Sequence, residues 1–142
     1  MLLVISLILL LSIVVESSVA VFPLTLVLIC VFSLLLGESM VFLAFFSGIL
    51  LDLFAMRLLG LDSIFFLVVC WLIGRYRKKI FIGNILYLLG FIALITSIYS
   101  YYFYRYVKVW HIIIAEIIAI ILIYIINIYF PNSLNDKKKL SV

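Results

Sequence analysis

The chain has 142 residues, 70% of them hydrophobic and 11% charged, with a mean hydropathy of +1.51 and a formal net charge of +4. A soluble domain carries about 25% charged residues, and a water-soluble fold of this size has no way to hide so much apolar surface, so the bilayer is the expected solvent for most side chains. The positive balance reads as a topology signal and as lipid head-group contact rather than as a nucleic-acid footprint, and no polar stretch is long enough for a second domain.

Breaks in the apolar pattern predict six transmembrane helices in one compact bundle over residues 1–131, followed by a polar cytoplasmic tail at 132–142. The first span covers about 2–15 and ends at Glu16-Ser17-Ser18. Ser18-Val19-Ala20 resembles a signal-peptide cleavage site, but no Lys or Arg precedes the apolar run, so retention as a first helix is expected. The second span covers about 20–36, with Pro23 in its first turn, where proline is tolerated. Gly37-Glu38-Ser39 forms a tight turn into a third span at about 40–55, which ends near Arg57. The fourth covers about 59–74 and stops at a basic cluster, Arg75, Arg77, Lys78 and Lys79. The fifth covers about 80–103 and the sixth about 110–130, closed by Pro131-Asn132. Spans two to four are short for a hydrocarbon core that takes about 20 residues to cross, and their brief connections predict an antiparallel stack.

Basic residues set the orientation. With six spans and both termini in the cytoplasm, Arg75, Arg77, Lys78, Lys79, Lys137, Lys138 and Lys139 lie inside, against Arg57, Arg105 and Lys108 outside. The same map gathers most acidic residues in the outer half. Glu16 ends span one, Asp52 lies near the outer end of span three, Asp62 is in the first turn of span four, and Glu116 is about five residues, or roughly 8 Å, into span six. Only Glu38 and Asp136 fall elsewhere.

Asp52, inside Gly48-Ile49-Leu50-Leu51-Asp52-Leu53, is the most informative of these. An Asp at a helix centre costs roughly 2.5–3.5 kcal/mol on insertion scales, and less near the surface. Buried membrane carboxylates face the bundle interior and pair. Asp52 and Glu116 are the deepest, and Arg57, Arg105 and Lys108 are the available partners. Three readings are open: ion pairing that fixes helix register, a ligand or partner site at the outer face, and a proton relay. The relay ranks last, because no acidic residues continue a path to the inner face.

Other features read structurally. Tyr99, Tyr101, Tyr102, Tyr104 and Tyr106 form an aromatic belt at the outer boundary, with a stacking surface as the sharper alternative. Trp71 and Trp110 read as interfacial anchors. Gly48, Gly60 and Gly74 permit close helix approach or tight turns. Cys30 and Cys70 read as small buried hydrophobes, and His111 as an interfacial side chain. No catalytic or metal-binding constellation and no cofactor motif is legible.

The stretch from Phe46 to Leu53, the step Leu59-Gly60-Leu61 and the helix closing on Gly74-Arg75 carry a family resemblance. In them the chain resembles the rod shape-determining MreD family, whose pattern is Gly-x-x-x-Asp-Leu, a short loop, Leu-Gly-Leu and a helix ending in Gly-Arg. The loop departs from that pattern: Ala55-Met56-Arg57-Leu58 stands where the family has a small residue and a proline, and Asp62 stands where a histidine or small residue is usual. The resemblance implies a non-enzymatic, multi-pass subunit of the cell-elongation machinery in the bacterial inner membrane. Its implied partners are MreC, RodA with its penicillin-binding-protein partner, and MreB indirectly. In that reading Asp52 and Arg57 orient helices three and four for a partner. The family is also similar in fold to the substrate-binding subunits of energy-coupling-factor transporters. That similarity gives the alternative: a vitamin-like small molecule in a wet outer cavity lined by Asp52, Arg105 and Glu116.

Overall fold

The computed structural model describes residues 2–19, 22–37, 39–82, 85–105 and 109–129. These residues form six α-helices: α1 (Leu2–Val19), α2 (Leu24–Leu36), α3 (Ser39–Phe54), α4 (Leu61–Ile82), α5 (Ile85–Tyr104) and α6 (Val109–Tyr129). Glu38, Lys108 and the 132–142 tail with its three lysines lie outside the described residues, as do the side chains of Arg77, Lys78 and Lys79.

α2 is the centre of the fold. It is apolar on all sides, as a fully enclosed helix must be. Every residue from Leu26 to Leu34 is buried, and α2 touches each of the other five helices. α1 shows the opposite pattern: Ile5, Leu9, Ser12, Ile13 and Glu16 form an inward stripe at helical spacing, while Leu3, Leu7, Leu10 and Leu11 lie exposed. α6 likewise buries Ala115 and Ala119 and exposes Ile113, Ile117, Ile121 and Tyr124. The most extensive helix contact is between α3 and α4.

Side-chain bonds fix the relative directions. The C-terminal end of α1 meets the start of α2 through Glu16 and Thr25, and the end of α3 meets the start of α4 through Asp52 and Gly60. The end of α5 joins both through Tyr99 and Tyr104. Phe22 sets its ring edge-on to His111 near the start of α6, centroids 6.1 Å apart. Successive helices therefore alternate in direction, as their short connections predict.

Several expected boundaries move. α1 runs through Glu16 instead of ending there, and Pro23 is the N-cap residue of α2 rather than part of its first turn. α4 continues beyond Gly74 to Ile82. A single glycine costs a helix only about 1 kcal/mol relative to alanine, and the arginines and lysines that follow are good helix formers. Gly74 is thus neither a turn nor a close-packing position: a side chain there would meet nothing within 4 Å. Among the described residues one helix, α5 over Tyr87–Tyr104, has the length and apolar composition to cross a membrane; Leu3–Ser18, Leu24–Leu34, Ser39–Phe54 and Val109–Ile125 are shorter apolar helices. Cys30 and Cys70 are buried and form no disulfide.

Candidate functional site

Polar side chains collect at the end of the bundle where α1, α3 and α5 finish and α2 and α4 begin. Asp52 is fully buried and works in both directions along the chain. Its main-chain carbonyl accepts the Arg57 N–H at 2.9 Å, while the Leu53 carbonyl accepts the Met56 N–H at 3.4 Å. These two bonds make a Schellman stop, with Met56 in the left-handed region at φ 51° where glycine is usual. The Asp52 side chain meanwhile caps the next helix. Oδ2 accepts the Gly60 N–H at 2.7 Å, and Oδ1 accepts the Asp62 N–H at 3.4 Å. Gly60, at φ 95°, adopts the turn conformation that lets the chain reverse there. A carboxylate at this point also faces the positive end of the α4 dipole.

Because backbone N–H groups occupy Asp52, Arg57 turns elsewhere. The expected Asp52–Arg57 pair is replaced by Arg57–Asp62, Nη1 to Oδ2 at 3.1 Å. Tyr99 closes the triangle: its hydroxyl accepts from Arg57 Nη1 at 3.0 Å and donates to Asp62 Oδ1 at 2.8 Å. The guanidinium lies over the rings of Phe103 and Tyr104, at 4.9 and 5.1 Å from their centroids. Burial works against the Arg57 charge, but Tyr99, Tyr104 and Asp62 outweigh it and hold its pKa above the ordinary value.

Glu16 repeats the capping arrangement one hairpin earlier. Pro23 supplies no side-chain cap to α2, and the buried Glu16 Oε2 accepts the Thr25 N–H at 2.8 Å in its place. Its other oxygen accepts the Tyr104 hydroxyl at 3.4 Å. Replacing Glu16 with alanine should lower stability by about 2 kcal/mol, and Glu16→Gln, which keeps an acceptor oxygen, by less than half of that. Unfolding midpoints in mixed micelles check this, and equal losses for the two variants would refute the cap.

Gly48 is the packing position its sequence context suggests. A Cβ there would fall 2.5 Å from the Ser63 backbone nitrogen, and the Ser63 hydroxyl donates to the Phe45 carbonyl at 3.1 Å across the same contact.

The structure therefore joins Gly48, Asp52, Arg57 and Gly60 of the expected residues, and adds Glu16, Asp62, Tyr99 and Tyr104. Arg105 and Glu116 stand apart. Arg105 is exposed just beyond α5 and lines a cavity of about 440 Å³ with Tyr101 and Tyr102, whereas Glu116 is half-buried on α6. The described tyrosines of the run divide between the two environments: Tyr99 is buried and Tyr104 half-buried within the cluster, Tyr101 and Tyr102 are exposed, and Tyr106 lies outside the described residues. Trp71 and Trp110 are exposed, as interfacial anchors would be. Asp62 was visible as a first-turn acid, but nothing in the sequence distinguishes it from Asp52 as the partner of Arg57. Tyr99 and Phe103 lie one helical turn apart on the inner face, a spacing hidden within an unbroken aromatic run.

No protein-family model, no curated protein and no solved structure matches this chain.

Proposed function

We propose that the chain is a membrane-embedded, non-enzymatic scaffold subunit of the bacterial cell-elongation complex, of the MreD type. Its six helices cross the inner membrane with both termini in the cytoplasm. In this reading it binds MreC, works beside RodA and its penicillin-binding-protein partner, and reaches MreB only through the complex.

The observation that carries this reading is the way the residues of the resemblance interlock. Gly48 lies against Ser63 and Asp52 caps Gly60, so the Gly-x-x-x-Asp-Leu run and the Leu-Gly-Leu step form one helical hairpin. A motif consumed by its own hairpin suits a scaffold. The distribution of side chains supports the membrane setting. Glu16, Asp52, Asp62, Ser12 and Thr25 are buried, while leucine, isoleucine and phenylalanine cover the outside. In water such a surface would drive aggregation, and in lipid it is solvated. The small-molecule alternative gains nothing from Asp52, because its carboxylate is enclosed and bonded to backbone N–H groups.

Affinity purification of the tagged chain from bacterial membranes tests the proposal. MreC should co-purify with the wild-type protein. A folded, membrane-resident chain that never recovers MreC would sink the scaffold reading.

A further inference from the structure

The opposite end of the bundle holds a groove of about 420 Å³ between α2, α3 and α4, lined by Gly37, Val41, Leu67, Trp71, Gly74 and Arg75 among others. Its composition is mixed in an ordered way. Val41 and Leu67 give an apolar wall. Exposed Trp71 and Arg75 form the rim one helical turn apart, the guanidinium carbon 5.6 Å from the indole centroid. Ser33 and Cys70 are the buried members of the lining, and Gly74 is an exposed one beside Arg75. A mid-helix glycine disfavours the helix relative to alanine, and here no neighbouring atom requires it, since a Cβ would have open space around it. What the missing side chain preserves is the groove itself.

The charge at this end is strongly positive. α4 carries Arg75, Arg77, Lys78 and Lys79 within five positions of its C-terminal half. A slot with an apolar wall, an aromatic rim and a cation at its mouth matches a phospholipid: acyl chain along Val41 and Leu67, glycerol over Gly74, phosphate on Arg75. We propose that this groove is a binding site for one anionic phospholipid. The inference rests on the membrane-embedded part of the reading above, and not on the identity of any protein partner.

The test uses the full chain extracted in detergent, with phosphatidylglycerol or phosphatidylcholine added and bound lipid counted by native mass spectrometry. Wild-type protein should retain one phosphatidylglycerol in preference to phosphatidylcholine. Arg75→Gln should weaken that binding about five-fold, the value of one cation near an anionic surface. Gly74→Leu should fill the groove and abolish retention, and its unfolding midpoint, expected to match or exceed wild type because leucine favours helix, shows that the variant is folded. Equal retention of the two lipids, or wild-type retention by Gly74→Leu, would overturn the site. Membrane fractionation separates the two claims. A chain found in the membrane that keeps no phosphatidylglycerol overturns the lipid site alone, whereas a chain found outside it overturns the membrane reading as well.

Discussion

Alanine at Gly48 should cost about 3 kcal/mol of stability, at the upper end for overpacking by one methyl group. The added Cβ would lie 2.5 Å from the Ser63 nitrogen and closer still to the Ser63 Cα. Both atoms belong to the first turn of α4, so no rotamer change relieves the clash. Relief comes only if α3 and α4 move apart, and that movement breaks the Ser63–Phe45 hydrogen bond and strains the Asp52 cap. The same substitution at Gly74 supplies the control. Nothing lies within 4 Å of a Cβ there, so Gly74→Ala should gain up to about 1 kcal/mol through helix propensity. Unfolding midpoints of the three proteins in mixed micelles read the difference, and similar behaviour of the two alanine variants would show that the α3–α4 approach is looser than described.

Removing the Asp52 carboxylate is the second large effect. In Asp52→Ala the buried Asp62 N–H and the half-buried Gly60 N–H lose their acceptor. Each such donor costs about 1–3 kcal/mol, so a loss of about 2–5 kcal/mol is expected, the smaller share from the 3.4 Å bond. Asp52→Asn keeps one acceptor oxygen and the size of the side chain, and should recover about half of the loss. Asp62→Asn separates this cap from the ion pair. It weakens the Arg57 contact while leaving the Asp52–Gly60 bond in place, so its effect should add to that of Asp52→Asn less than fully, as expected for neighbours in one network. Alanine and asparagine variants of equal stability at position 52 would remove the capping role.

The number and order of the helices were legible because the apolar runs are long and their breaks are polar or glycine-rich. Their ends were less so. Glu16 read as a terminator because a carboxylate in an apolar run signals an interface, yet here it is drawn inward by the bare start of α2. Gly74 read as a boundary because glycine followed by basic residues resembles a membrane exit, but helix propensity carries α4 onward. The gathering of acids at one end followed from topology alone. The pairing inside that cluster did not follow. Asp52 and Asp62 are both within reach of Arg57, and only the backbone geometry of the 55–60 loop decides that the first takes N–H groups and the second takes the cation. Arg105 and Glu116 stand apart from the cluster, Arg105 because the chain has left α5 and entered a left-handed turn there, a detail no sequence pattern signals.

The two carboxylate caps have a consequence for biogenesis. Each joins atoms only nine or eight positions apart, Glu16 to Thr25 and Asp52 to Gly60. At a synthesis rate of about 5–20 residues per second, acceptor and donor emerge within about two seconds of one another. The first half of each hairpin carries an acid that apolar surroundings reject, and the second half carries the N–H groups that make it acceptable. If the helices span a membrane as proposed above, the unit that enters lipid at low cost is the closed hairpin and not the single helix. In that setting, a pause in synthesis that leaves Asp52 emerged and Gly60 not yet emerged would hold the α3 carboxylate without its N–H partners, and its release would complete the turn.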